Sequence, residues 1–153
     1  LSDDVHTLAY RLHPSLLEHA GLRPAVEEHV HQVSRRTGLP IHLKILDVPD
    51  AVPLDQATCL FRVMQESVQN VVKHAQATTV TVQLRGSSKG VGLSVIDNGR
   101  GFDSQDLRTH QQGLGLSSME ERLRQLHGFF RIQSRSSHGT KVCAWVPCEV
   151  EVA

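Results

Sequence analysis

This 153-residue chain has no charge of one sign in excess: Lys plus Arg and Asp plus Glu both number 16. That balance removes the bulk positive field with which a non-specific nucleic-acid binder neutralises phosphates. No nucleic-acid partner is expected, and any phosphate recognition must be local. Cysteine is sparse as well. Cys59, Cys143 and Cys148 are odd in number and form no C-x-x-C, in a chain too large for a small disulfide scaffold; a reducing, cytoplasmic compartment is expected. No run approaches the roughly 20 apolar residues of a membrane span, and the start lacks the charged, apolar and small-residue pattern of a secretory signal. The chain opens on Leu1 rather than Met. We therefore expect a domain excised from something longer, with any membrane anchor or sensor outside these residues. Internal repeats and low-complexity segments are also missing.

What remains is an ordinary globular composition, 39% apolar and 21% charged, in a length that suits one domain with a real core. Ten histidines are many, but most lack metal-ligand spacing. Val5, Leu8, Leu12 and Leu16 recur at helical spacing, with Pro14 near the end of the pattern. A second helix is expected from Leu22 to Arg36, stopped by Gly38-Leu39-Pro40. The alternation from Ile41 to Ile45 predicts a strand. From Asp55, read as an N-cap, Ala57, Leu60, Phe61, Met64, Val68, Val71 and Val72 form a 3.6-residue stripe. Thr78 to Leu84 and Val91 to Ile96 read as an antiparallel hairpin around residues 86–90. A helix with Leu116, Met119, Leu123 and Leu126, closed by Gly128, precedes a second hairpin, Phe129 to Gln133 with Lys141 to Val146. The polar stretch from Asp103 to Gln112 is a lid candidate. Hairpins rather than βαβ alternation point to an α+β, two-layer α/β sandwich with a mixed five-stranded sheet and about three helices on one face.

Three places offer chemistry. Glu66 and Asn70 share a face of the central helix, and Lys73 extends that stripe. An Asn oxygen suits a Mg²⁺ that keeps most of its waters and takes phosphate oxygens; a carboxylate one turn away can position a water or hydroxyl, and Lys73 and His74 can meet phosphate charge. The competing reading is a solvated helix face. Asp97-x-Gly99-x-Gly101 puts a carboxylate at a strand end beside two residues that permit close backbone approach. Such a carboxylate accepts from an exocyclic amine and so prefers adenine to guanine, although a plain tight turn gives the same string. Gly113-Leu114-Gly115-Leu116 lies before a helix, where free N–H groups and the dipole favour phosphate oxygens; a flexible start to the helix is the alternative. From Arg100 to Lys141, Lys and Arg outnumber Asp and Glu, which fits a polyphosphate beside the glycine loops.

Taken together and in order, these strings resemble sensor histidine kinases. Glu66-Ser67-Val68-Gln69-Asn70-Val71-Val72-Lys73-His74-Ala75 is similar to their N box, Asp97-Asn98-Gly99-Arg100-Gly101-Phe102 to their G1 box and Gly113-Leu114-Gly115-Leu116 to their G2 box. Ser118-Met119-Glu120-Glu121-Arg122 and Gly139-Thr140 also match, over roughly residues 22 to 147. Three ordered boxes are far more specific than one glycine motif. The short interval between the G1 and G2 boxes is similar to the class that pairs with NarL/LuxR-type response regulators. Leu12-His13-Pro14 to Gly21-Leu22 resembles that class's join between the dimerisation hairpin and the ATP-binding domain.

The resemblance implies the Bergerat ATP-binding fold shared by gyrase, heat-shock-ninety, histidine-kinase and MutL-type proteins. It divides the chain into the end of a phosphoacceptor hairpin and linker at 1–20, an ATP-binding catalytic domain at 21–148 and a tail at 149–153. It further implies that Asn70 holds Mg²⁺, Glu66 acts near the acceptor or a water, and Lys73 and His74 touch phosphates. Asp97 would bind the adenine amine in a pocket shaped by Gly99 and Gly101. Gly113 and Gly115, with Leu114 and Leu116 in the same box, would line the phosphates under a lid, and Thr140 would support Asp97 through a water. The implied partners are ATP, the dimerisation domain of the same protein, which would be a homodimer at full length, and a NarL/LuxR-type regulator. One departure stands out: the family's acceptor histidine is usually followed by an acidic residue, whereas His6 precedes Thr7 and His13 precedes Pro14. The acceptor is expected outside this chain. A non-catalytic nucleotide-sensing module and a serine kinase acting on an anti-sigma-factor partner are the alternatives, and the Leu12-His13-Pro14 junction argues against the latter.

Overall fold

The computed structural model describes residues 15–103 and 116–148. Residues 15–20 are helical, Gly21 at φ 94° interrupts the helix, and helix α1 (Leu22–Thr37) follows. Strand β1 (Ile41–Leu46) leads to helix α2 (Leu54–Asn70), which runs on into a π-helical turn, Val71–Ala75. Then come β2 (Val80–Gly86), β3 (Gly90–Asp97), helix α3 (Ser117–Gln125), β4 (Phe129–Arg135) and β5 (Gly139–Pro147). The sheet order is β1-β2-β3-β5-β4. β1 runs parallel to β2, and the other three pairs are antiparallel. The mixed sheet and both expected hairpins are present.

Register explains the layers. Ile41, Leu43 and Ile45 stand opposite Val80, Val82 and Leu84. Val82 and Leu84 face Val95 and Leu93, which in turn face Val142 and Ala144. Because side chains alternate with period two, these positions share one surface of the sheet. They join Val26, Val30, Leu60, Met64 and Val68 from the helices in a single apolar cluster. The opposite surface carries Lys44, Arg85, Lys141 and Arg131. Leu17, from the helical residues before Gly21, is buried in the same cluster, so the core reaches across the boundary expected at residue 20.

Two local expectations change. Asp55 is not the N-cap: Pro53 holds that position with φ −54° and ψ 144°, and Asp55 lies in the first turn, where its charge suits the helix dipole. Val72 does not extend the core stripe. A π turn carries more residues per revolution than an α turn, so Val71 stays buried while Val72 swings out to 39% exposure. All three cysteines are free, and burial pushes the thiols of Cys59 and Cys148 up, away from reactive thiolate.

Candidate functional site

Between the end of α2 and the ends of β3, β4 and β5 lies a cavity of about 550 Å³, a size that suits a small-molecule ligand. Its apolar wall is Val71, Val95, Leu116, Ile132 and Val142; its polar groups come from Ser67, Asn70, His74, Asp97, Arg100 and Thr140. Asp97 gives the cavity its chemistry. It continues the inward series Val91, Leu93, Val95, so the alternation that builds the core places a carboxylate where the next aliphatic side chain would stand. Asp97 is only 6% exposed.

A buried carboxylate is unfavourable unless hydrogen bonds compensate. One oxygen accepts the Gly99 N–H at 2.8 Å. Desolvation nevertheless raises the pKa of Asp97 above the ordinary 3.8, while the N–H groups of Gly99 and Thr140 oppose the rise.

The loop after Asp97 is clamped to three elements. Asn98 Oδ1 accepts from the N–H groups of Thr78 and Thr79 at 2.9 and 3.0 Å, tying the loop to the start of β2. Gly99 lies against the π turn so closely that a Cβ would stand 2.2 Å from the Ala75 carbonyl oxygen, and Arg100 N–H donates to that same oxygen at 2.8 Å. Gly101 has φ +58°, and its Cβ position lies 2.1 Å from the Arg135 carbonyl oxygen at the β4–β5 turn. Phe102 N–H donates to Ser134 Oγ at 2.9 Å, and that hydroxyl stands 2.8 Å from the Thr140 hydroxyl. Positive φ at one glycine and backbone contact at the other leave no space for a side chain.

Of the residues expected from the sequence, the cavity gathers Asn70, His74, Asp97, Gly101, Leu116 and Thr140. Gly99 sits behind the wall, against Ala75. Glu66 and Lys73 are not part of the wall; the helix stripe that faces the cavity is Ser67, Asn70, Val71 and His74, at i, i+3, i+4 and i+7. Gly113, Leu114, Gly115 and most of the lid candidate lie outside the described residues. Sequence reasoning missed Ser67, Arg100 and Phe102 as wall residues. The i+3/i+4 spacing from Asn70 was the available signal for Ser67.

Among the described residues no group of three His, Cys, Asp or Glu could hold a metal ion. A cation here would need water and ligand oxygens for most of its shell, the manner in which Mg²⁺ accompanies phosphates. No helix among the described residues is long and apolar enough to cross a membrane.

A family model described as histidine kinase-, DNA gyrase B-, and HSP90-like ATPase matches residues 55–150. The chain belongs to this family. It is 33% identical over 145 residues to the sensor histidine kinase MctS of Rhizobium johnstonii, covering 94% of this chain and 31% of that protein. Against the nitrate/nitrite sensor protein NarX of Escherichia coli it is 35% identical over 126 residues, covering 82% of this chain and 21% of that protein. The chain thus spans well under half the length of these curated relatives. Among solved structures, the histidine kinase domain of a blue-light activated histidine kinase from Erythrobacter litoralis superposes with TM-score 0.65 at 21% identity, over 83% of this chain and 61% of that one. The ATP binding domain of PrrB from Mycobacterium tuberculosis gives TM-score 0.60 at 21% identity, over 79% of this chain and 89% of that one. These likenesses bear out the α+β sandwich, and the family match bears out the resemblance carried by the three boxes.

Proposed function

We propose that this chain is the ATP-binding catalytic domain of a two-component sensor histidine kinase. It binds Mg-ATP and donates the γ-phosphate to a histidine outside residues 1–153. The single observation that carries the reading is Asp97: a buried carboxylate in the wall of a ligand-sized, largely apolar cavity. It accepts from an adenine amine, whereas guanine would bring a carbonyl oxygen to the same edge and leave both groups unpaired.

The aliphatic wall takes the two faces of the purine. Asn70, on the cavity-facing stripe of α2, would offer its side-chain oxygen to Mg²⁺, which would supply charge neutralisation on the phosphates. Lys73, exposed on the π turn, adds local positive charge in a chain with no net charge, and His74 beside it offers a ring N–H to the phosphates. Glu66, one turn before Asn70, orients the attacking group. Leu116, with Gly113, Leu114 and Gly115 outside the described residues, lines the phosphates, as the G2-box resemblance implies. Such a site acts by positioning and charge stabilisation.

In the whole protein, residues 1–20 end the dimerisation and phosphoacceptor hairpin of a homodimer, 21–148 form the catalytic domain and 149–153 a tail. The phosphoryl group passes to a NarL/LuxR-type response regulator on the cytoplasmic side. The test is to mix this chain with the separately produced upstream hairpin and Mg-ATP and to look for acid-labile phosphohistidine, which is expected. The rival is a non-catalytic nucleotide-sensing module, favoured by the position of Glu66 outside the cavity wall. Nucleotide binding without phosphohistidine would select it.

A further inference from the structure

Ser67 is 2% exposed, and its hydroxyl oxygen is one of two buried side-chain polar atoms among the described residues that lack a hydrogen-bond partner. It sits on the cavity-facing stripe of α2, one turn before Asn70, in the wall that also holds Asp97. Both properties matter. Buried hydroxyls are nearly always paired, and α2 elsewhere shows how readily its hydroxyls find backbone oxygens: Thr58 Oγ1 donates to the Leu54 carbonyl at 2.7 Å. Ser67 occupies the same helix and makes no such bond, although its own carbonyl accepts from the Val71 N–H. An aliphatic side chain there would continue the neighbouring wall of Val71, Val95 and Val142, so the hydroxyl serves neither helix nor core.

We infer that Ser67 is a specificity-determining residue for the nucleotide base: its hydroxyl donates to a purine ring nitrogen adjacent to the amino group that Asp97 accepts. The inference rests on the nucleotide reading of the cavity and deepens it. Asp97 alone is an acceptor and distinguishes an amine from a carbonyl. An acceptor and a donor side by side match the pattern of adenine, where an N–H₂ donor is flanked on each side, at N1 and at N7, by a ring nitrogen with a lone pair. A serine hydroxyl has three staggered positions about χ1, so it can turn to the ligand without moving α2.

The test titrates ADP, 1-deaza-ADP and 7-deaza-ADP, each with Mg²⁺, into the wild-type chain and Ser67→Ala, and measures thermal unfolding of both without ligand. Ser67→Ala should weaken ADP binding about five- to tenfold, the weight of one ordinary hydrogen bond. One of the two deaza nucleotides should suffer about that loss on the wild type and none beyond it on Ser67→Ala, the mark of a direct pair. The unliganded variant should melt at the wild-type temperature or above it, because an unpaired hydroxyl has been removed. Equal ADP affinity in both proteins, or additive losses with both deaza nucleotides, overturns the inference and leaves the nucleotide reading intact. A wild-type chain that binds no ADP overturns that reading and this inference with it.

Discussion

The turn between β2 and β3 and the loop that follows β3 lie at opposite ends of the same strand, and both pack backbone against backbone. At the first, a Cβ on Gly90 would stand 2.2 Å from the Val146 carbonyl oxygen; at the second, one on Gly99 would stand 2.2 Å from that of Ala75. The ends differ in what they bury. Ser87, Ser88 and Lys89 are exposed, and the first turn closes locally through Ser87 N–H to the Gly90 carbonyl at 2.9 Å. The other end keeps a carboxylate and an unpartnered hydroxyl away from water. Close glycine packing therefore belongs to the fold as a whole, and buried polarity marks the site. Polar groups that cost stability in the unliganded protein are held where a ligand can pair with them.

Substitutions at the two ends should have different consequences. The largest effect is expected from Gly101→Ala, which combines a positive φ with a clash against the Arg135 carbonyl: a loss of about 2–5 kcal/mol in denaturant unfolding, together with loss of ADP binding. Gly90→Ala should also destabilise, by about 1–3 kcal/mol, yet leave the ADP affinity of the folded protein unchanged. A matching fall in affinity would mean that the two ends are not separate.

Asp97→Asn comes next. It replaces an acceptor-only group with an amide and should cost about 10- to 100-fold in ADP affinity by calorimetry, while leaving the unliganded protein as stable at neutral pH as the wild type, or more so. Acidity sharpens the point. Because burial raises the pKa of Asp97 in the folded state, the folded form binds its proton more readily than the unfolded form does. The contribution of Asp97 to stability is fully present below the ordinary 3.8 and is lost as pH rises through the raised folded value. ADP affinity moves the other way, falling as pH drops through that value and the acceptor is protonated. Both trends should flatten in Asp97→Asn.

Ser134→Ala removes the acceptor for the Phe102 N–H and the neighbour of the Thr140 hydroxyl, and about 1–2 kcal/mol of stability with them. The smallest effect is expected at Arg124, whose pair with Glu120 at 2.9 Å is 73% exposed on the arginine side; Arg124→Ala should shift unfolding by under about 0.5 kcal/mol.

Much of this layout can be read from residue order. Alternation in Val91, Leu93, Val95 and Asp97 gives both the strand and the inward carboxylate, since one period governs them all. The Gly38 stop and both hairpins are carried by local turn chemistry. The π turn is not legible, because Val71–Ala75 has no composition that distinguishes it from an α turn, and an unbroken 3.6-residue stripe therefore takes in Val72. Ser67 itself reads as an ordinary polar residue in a helix until burial shows that its hydroxyl has no partner. Nor does local sequence say that β5 inserts between β3 and β4, the placement that brings Thr140 and Val142 beside Asp97.

The most direct measurement is a calorimetric titration of ADP and GDP, with Mg²⁺, into the wild-type chain and Asp97→Asn. Wild type should bind ADP well ahead of GDP, and Asp97→Asn should lose most of that preference. Equal affinity of the wild type for both nucleotides, or an Asp97→Asn variant that binds ADP as the wild type does, would contradict the assignment of the cavity to adenine.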